Sequence, residues 1–355
     1  MLPERSDVVV IGGGVMGAAA LHYLVELGCE RPVLLERETL ASGSTGRCAG
    51  GVRTLFSDEL NRRICEESIR RLERFGDEVG QELDLRLWGY LFLLEDAAEA
   101  ARFAADGARM LTPDEAREIV PPLEVEGLVA AAFDERAGYV TPDLVVQGYA
   151  RRAAARGAHV EQSCAATRIR SEGGRVVAVE TERGRVATER VVLAAGVWSS
   201  ELFPLPLEGE RRHMFITEAA PMFPRELPLT IDFATGFYFH REGAALALGG
   251  REQSLEDFAP VAARRLPALA ELGIRSSWWG WYELSPDHNA LIGAARDPEG
   301  LVYATGFSGH GFQQGPVVGE HLARLALGLE PAIDLSGLAV ERFDQGEPRR
   351  EANVV

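Results

Sequence analysis

Asp7-Val-Val-Val-Ile11 is an unbroken apolar run of β-branched residues, the pattern of a strand buried on both faces of a parallel sheet, and glycines stop it at Gly12. From Val15 to Leu27 apolar and alanine positions recur at helical spacing and end at Gly28. Pro32-Val-Leu-Leu-Glu36 then reads as a second strand, completing a β-turn-α-β unit. Leu60, Ile64, Ile69, Leu72 and Phe75 fall roughly on one face, which predicts a helix capped by Ser57 and running to about Arg74. Trp88–Leu94 reads as a strand. Thr112-Pro-Asp-Glu115 is a capping box, and Thr141-Pro-Asp opens another helix that stops at Gly157.

From His159 to Ala195 short apolar strands alternate with turns at Gly173-Gly174 and Arg183-Gly184, a β-meander that returns to the first sheet through Val191-Val-Leu-Ala-Ala-Gly196. A strand-rich middle follows at Met214–Thr217, Gly236–His240 and Leu246–Gly249, then the Trp-rich Ser277–Glu283. Leu301–Ala304 leads through a glycine loop to a helix over Val317–Leu327. The expected class is α/β (α+β), a Rossmann-like nucleotide-binding domain with a second, antiparallel-sheet domain. The nucleotide lobe is discontinuous, over 1–85, 140–212 and 286–340; the second lobe takes 86–139 and 213–285; 341–355 is a polar tail expected to fray.

A chain of 355 residues, 46% hydrophobic and 26% charged, suits two lobes with a cleft between them. The balance of 37 basic and 54 acidic residues, −17 in all, is spread along the chain and repels nucleic acid and anionic membranes. Cys29, Cys48, Cys65 and Cys164 show no metal-type spacing, so neither a metal site nor a disulfide framework is expected, and a reducing cytoplasm is the simplest location. The acidic start lacks the pattern of a signal peptide, and no apolar run reaches about 18 residues, so no membrane span is expected.

Gly12-Gly-Gly14-Val15-Met16-Gly17 satisfies G-x-G-x-x-G between strand and helix, with Glu36 closing the next strand. Gly12 permits the tight turn, Gly14 lets backbone N–H groups reach a pyrophosphate at the positive helix end, and Gly17 lets helix and strand pack closely. Glu36 can accept hydrogen bonds from ribose hydroxyls and repels a 2′-phosphate. The fingerprint alone does not separate NAD from FAD. Ala41-Ser-Gly-Ser44-Thr45-Gly46-Arg47 adds hydroxyls and one cation beside the same site.

Further pieces follow in order: Gly138-Tyr-Val-Thr-Pro142, Val191–Ala195 with Gly196-Val-Trp198-Ser, Gly280-Trp-Tyr-Glu-Leu-Ser-Pro-Asp287, and Gly306-Phe-Ser-Gly309-His310-Gly311-Phe312. Together with the fingerprint and the loop to Arg47, this ordered set resembles the D-amino-acid-oxidase (DAO) superfamily over nearly the whole chain. The likeness is greatest to the branch of sarcosine oxidases, dimethylglycine and sarcosine dehydrogenases and proline dehydrogenase subunits. The resemblance implies an FAD-binding domain, a substrate domain and FAD in an extended pose. Glu36 and Arg37 would lie near the adenosine, Ser44, Thr45 and Arg47 along the pyrophosphate, and Ala166, Ala195 and Gly196 on the adenine side. Val15, Met16, Gly50, Gly51 and Trp198 join the cofactor-contacting set, and Gly309-His310-Gly311-Phe312-Gln313 would face the flavin ring. Gly315-Pro-Val would open a helix whose positive end stabilises charge on the reduced ring. Relatives with covalent flavin use a cysteine at the place matched by Gly280; no cysteine lies near it in sequence, which favours non-covalent FAD.

A hydride acceptor needs a neutral amine, its C–H over the ring and a fixed donor for the carboxylate, a task suited to arginine. In the glycine- and D-amino-acid-oxidase branch that arginine is matched by Tyr282, so the clamp is missing and that activity is the alternative reading. In the sarcosine-oxidase branch it is matched by Arg53, which is present. The second donor there, a lysine, is matched by Gln313. The lysine credited with activating dioxygen is matched by Ala247, which favours a dehydrogenase passing electrons to a protein or quinone over an oxidase using O2. Tyr238 and Tyr282 are expected to border the pocket; His310 is assigned a structural or flavin-contact role; Trp278, Trp279 and Trp281 are assigned to packing. The implied reaction oxidises the C–N bond of an amino acid or N-alkyl amino acid by hydride transfer, followed by imine hydrolysis. A flavin-binding subunit active only within a hetero-oligomeric dehydrogenase is the reading of a different class, and an exposed apolar patch would favour it. A tRNA-modifying role wants a basic surface that this composition lacks.

Overall fold

The computed structural model describes residues 2–344 and 350–354. A six-stranded sheet runs in the spatial order Leu291–Ala294, Leu301–Thr305, Val191–Leu193, Val8–Ile11, Pro32–Leu35, His159–Glu161. Its neighbours pair in parallel except for the first two, which are antiparallel. Val8–Ile11 is buried along its whole length, as a strand covered on both faces must be. The helix Val15–Glu26 packs on one side of this sheet against the long helix Gly311–Leu327. Their approach is close enough that a Cβ at Gly319 would lie 2.3 Å from that of Ala19. The meander is present as the antiparallel sheet Ala166–Glu172, Arg175–Thr181, Gly184–Ala187, and the chain returns from it to the first sheet.

An eight-stranded sheet forms the second layer, in the order Ile274–Leu284, Glu208–Thr217, Ala245–Gly250, Phe237–Glu242, Leu229–Asp232, Tyr90–Leu94, Ala130–Asp134, Arg109–Leu111. All neighbours are antiparallel except Leu229–Asp232 beside Tyr90–Leu94. Side chains alternate between two buried clusters. Phe215, Phe237, Phe239 and Leu248 pack under the helix Leu255–Arg265, whereas Met214, Ile216, Tyr238 and Ala247 belong to the opposite face.

Several expectations shift by a few residues for local reasons. The third helix is Glu59–Glu73, and its cap is Asp58, whose carboxylate accepts from Leu60 and Asn61, rather than Ser57. The last long helix begins at Gly311, not at Gly315; Pro316 is accommodated inside it. The capping box at Thr112 and Glu115 forms as read. The polar tail does not fray where it is described: Glu351 and Asn353 are 1% and 0% exposed, because their polar groups find partners in the interior. No helix among the described residues is long and apolar enough to cross a membrane.

Candidate functional site

A groove of about 810 Å3 opens between the two sheets. It starts where the first strand turns into its helix. Gly12 has φ +108°, and a Cβ there would lie 2.3 Å from the carbonyl oxygen of Ala194, so only glycine fits. The helix Val15–Glu26 is entered through Gly14, with no side-chain cap and no acid in its first turn, leaving a positive helix end facing the groove. Thr45 Oγ1 lies beside it and accepts from the Val15 N–H at 3.1 Å. Glu36 closes the turn from the next strand, accepting from the Gly13 N–H at 2.7 Å and the Glu38 N–H at 2.8 Å, with lone pairs to spare.

Gly12, Gly14, Val15, Met16, Glu36, Arg37, Ser44, Thr45 and Arg47 all line this half of the groove, joined by Ala166, Ala195, Gly196 and Trp198. Arg37 stacks over the Trp198 ring at 3.7 Å. Ser44 and Arg47 are turned to a second task, since the Ser44 hydroxyl donates to the Trp281 carbonyl and Arg47 Nη1 to the Trp279 carbonyl. They fasten the loop to the strand Ile274–Leu284. Gly17 alone of the expected set is off the wall; a Cβ there would lie 1.9 Å from the Gly12 oxygen, which is the packing role read from the fingerprint.

The other half is framed by Gly50, Gly51 and the loop Gly309–Gln313. Gly309 has φ +94° and lies against Tyr282, whose ring would be 2.4 Å from an added Cβ. His310 is buried; its Nε2 faces the His288 carbonyl at 3.1 Å and its Nδ1 faces the Gln314 amide at 3.1 Å. Burial, aided by Arg53, pushes its pKa down to about 4, so it is neutral, and both ring nitrogens face partners within the protein.

Arg53 is not a surface charge. It is 6% exposed and held from several directions. Its backbone N–H donates to Gln313 Oε1 at 2.7 Å, and the next residue is pinned by Asp134, which accepts from the Thr54 N–H at 2.6 Å and its hydroxyl at 2.8 Å. The guanidinium donates to the Leu55 and Asn353 carbonyls and sits over the Phe56 ring at 3.9 Å. Two of its five N–H groups are thereby used. Gln313 spends its carbonyl on Arg53, and its amide NH2 has no partner among the described residues.

The cavity beyond is walled by Tyr90, Met214, Leu229, Ile231, Tyr238 and Tyr282. Tyr238 donates to Met214 Sδ at 2.9 Å, and burial raises the pKa of both Tyr238 and Tyr282. Ala247 is buried in the cluster with Met214 and Tyr238 and is not on the groove wall. Sequence reasoning missed Tyr90, Arg212 and Val354, which reach the wall from segments distant from the motifs, and Glu283, which lies inside the Gly280–Asp287 stretch but was given no role. It also missed Cys48, which the fold brings into the wall although no cysteine neighbours Gly280 in sequence. Burial pushes the Cys48 thiol up to about 11, and its Sγ donates to the Thr45 carbonyl, so it is a protonated thiol. No lysine occurs anywhere in the chain; all 37 basic residues are arginine. No metal-ligating cluster occurs among the described residues.

The positive helix end, the glycine turn and the Glu36 carboxylate fit the pyrophosphate and ribose of FAD, and the groove's length continues past them to the glycine loop at 309–313. The sequence matches the family described as DAO, FAD dependent oxidoreductase, over residues 7–325. It is 28% identical to the FAD-dependent oxidoreductase domain-containing protein 1 of Xenopus laevis, covering 99% of this chain and 85% of that one. To the human mitochondrial sarcosine dehydrogenase it is 29% identical over 96% of its own length, but it spans only 42% of that longer protein. The sarcosine oxidase subunit beta of Rhizobium meliloti (strain 1021) is 26% identical, with 96% and 89% covered. Among solved structures, the L-proline dehydrogenase from P. horikoshii superposes with a TM-score of 0.89 at 29% identity, covering 98% of this chain and all of that one. With the match running through both sheets and the groove between them built for a dinucleotide, the chain belongs to the DAO family of FAD-dependent oxidoreductases.

Proposed function

We infer that the protein oxidises the C–N bond of an amino acid or N-alkyl amino acid whose carboxylate is held by Arg53. The observation that carries this reading is a buried guanidinium, fixed by two carbonyls yet with N–H groups to spare, at the end of the groove framed by Gly50, Gly51 and Gln313. FAD supplies a two-electron hydride acceptor there when bound. The protein's part is placement. Arg53 orients the carboxylate, the Gln313 amide offers a second, uncharged donor, and the walls of Tyr90, Leu229, Ile231 and Tyr238 exclude water while the α-carbon is set. His310 is neutral but spent on structural bonds, so it does not serve as a general base. The substrate therefore reacts as the neutral amine, and the imine product is hydrolysed by water.

A lysine-free chain supports an electron acceptor other than dioxygen, a protein or a quinone. The protonated Cys48 thiol supports a non-covalent flavin, and acid precipitation should then release all the yellow colour. The likeness to a sarcosine oxidase subunit supports a partner subunit as well. The deciding experiment adds sarcosine, dimethylglycine, L-proline, glycine and D-alanine anaerobically while the flavin band is followed. Bleaching by an N-alkyl or cyclic amino acid that is lost in Arg53→Ala, with slow recolouring in air, is the expected result. A yellow protein bleached by no amino acid would refute it.

A further inference from the structure

Arg53 is not the only arginine on the cavity wall. Arg212 lies on the strand Glu208–Thr217, opposite Gly280 of the neighbouring strand, and strand alternation places it on the same face as Met214. Its guanidinium sits 5.0 Å from the Tyr282 ring. The Tyr282 hydroxyl feels both cations, each pulling its pKa down against burial, so one phenol lies within electrostatic reach of Arg53 and Arg212 together.

Arg212 is 9% exposed, and desolvation works against its charge. Its hydrogen bonding is far from satisfied. Nη1 donates to Glu210, whose side chain is 39% exposed, while Nε and Nη2 have no partner among the described residues. These two donors open onto the groove, where the oxygens of a ligand can reach them. The groove's own carboxylates do not: Glu36, Glu38 and Glu201 belong to the dinucleotide end, and Glu283 is bonded to Thr305 beside Gly196. The chamber between Arg53 and Arg212 thus has a cation on each side; Glu210 is the one ion-paired counter-ion of Arg212 among the described residues, while Glu252 and Arg251 act on it through space with opposite signs. A partly exposed ion pair of that kind is weak enough for an incoming carboxylate to replace.

We propose that Arg212 is a second anion anchor, and that the substrates belong to the class of amino acids carrying a second carboxylate, on the side chain or on the nitrogen substituent. The proposal rests on the reading of Arg53 as the first anchor. It makes Arg212 a specificity-determining residue: a monocarboxylate leaves its donors unmet, a dicarboxylate meets them.

The test is binding, independent of turnover, to the FAD-loaded protein. Thiodiacetate, its one-methylene-longer homologue and methylthioacetate are unreactive thioether analogues of two dicarboxylic amines and of sarcosine, and calorimetry gives their dissociation constants. At least one dicarboxylate is expected to bind about tenfold or more tighter than methylthioacetate, the range of one charge-assisted anchor. Arg212→Met should bring that ratio to about one, and Arg212→Lys should restore most of it. A ratio of one or less in the parent protein overturns the proposal, as does a preference that survives Arg212→Met. Should that variant fail to load FAD, the parent ratio and Arg212→Lys still decide. Bleaching by monocarboxylic amines alone would remove Arg212 from substrate recognition and leave the Arg53 reading standing; bleaching by no amine at all would remove both.

Discussion

Glu351 offers the sharpest test of how the Arg53 end of the groove is held. Its carboxylate is buried and accepts hydrogen bonds from the Ser57 N–H at 2.8 Å, the Ser57 hydroxyl at 2.7 Å, the Asp58 N–H at 3.0 Å, the Asn61 amide at 3.0 Å and the Asn353 N–H at 2.9 Å. Burial alone would raise its pKa, but these donors more than offset it and hold the group at about 2, against an ordinary 4.5. A carboxyl with a depressed folded pKa stabilises the fold above its unfolded value and loses that contribution as the pH falls through the folded one. The difference between the two values corresponds to about 3 kcal/mol at pH 7. Glu351→Gln keeps the shape but removes the charge and turns an N–H2 toward existing donors, so it should cost about 3 kcal/mol at neutral pH. The same segment carries the Asn353 carbonyl that receives Arg53 Nη2, so the variant should also bind carboxylate ligands severalfold more weakly. Urea denaturation of the FAD-loaded protein, parent against variant, reads the first effect; by pH 4 roughly 1 kcal/mol of the gap should already be gone. A variant as stable as the parent at pH 7, or a gap that does not change with pH, would refute the reasoning.

Other outcomes follow from the same structure. Arg53→Gln should raise the dissociation constant for an amino acid by about a hundredfold while the flavin spectrum persists, because a charge-assisted pair is worth about 2–3 kcal/mol and no dinucleotide contact is touched; loss of the flavin instead would mean that Arg53 supports the cofactor. Gly12→Ala forces a side chain into φ +108° and onto the Ala194 carbonyl, so the purified variant should be colourless, as an absorbance scan would show. Glu283 works in the opposite sense to Glu351: burial raises it to about 7 despite bonds from Thr305, Gly306 and Phe307. The FAD-free protein should therefore lose up to about 3 kcal/mol through this group as the pH rises from 4.5 to 7, and Glu283→Gln should abolish that slope in denaturation midpoints.

The dinucleotide half was legible in the sequence because backbone geometry makes it. A positive φ at Gly12, a helix end without an acid and a carboxylate on the next strand are all local requirements, and residues close in sequence meet them. The strand, the helix and the return through Val191–Leu193 could be read for the same reason. The half around Arg53, the proposed substrate end, is assembled otherwise. Arg53 was found through resemblance, but its anchoring by Asp134, Gln313 and Asn353 joins residues up to 300 positions apart. Arg212 faces the cavity only because of the register that sets it opposite Gly280, and one residue of slip would turn it away. The polar tail shows the limit most clearly. Composition marks Glu351 and Asn353 as solvent-facing, and nothing local signals the cluster of N–H and hydroxyl donors at Ser57, Asp58 and Asn61 that converges on the Glu351 carboxylate. In this fold the dinucleotide end of the groove is set by turns and the end at Arg53 and Arg212 by long-range pairing and register. If those two arginines are the anchors proposed above, exchange of side chains along the eight-stranded sheet changes what is oxidised without disturbing the turns at the other end.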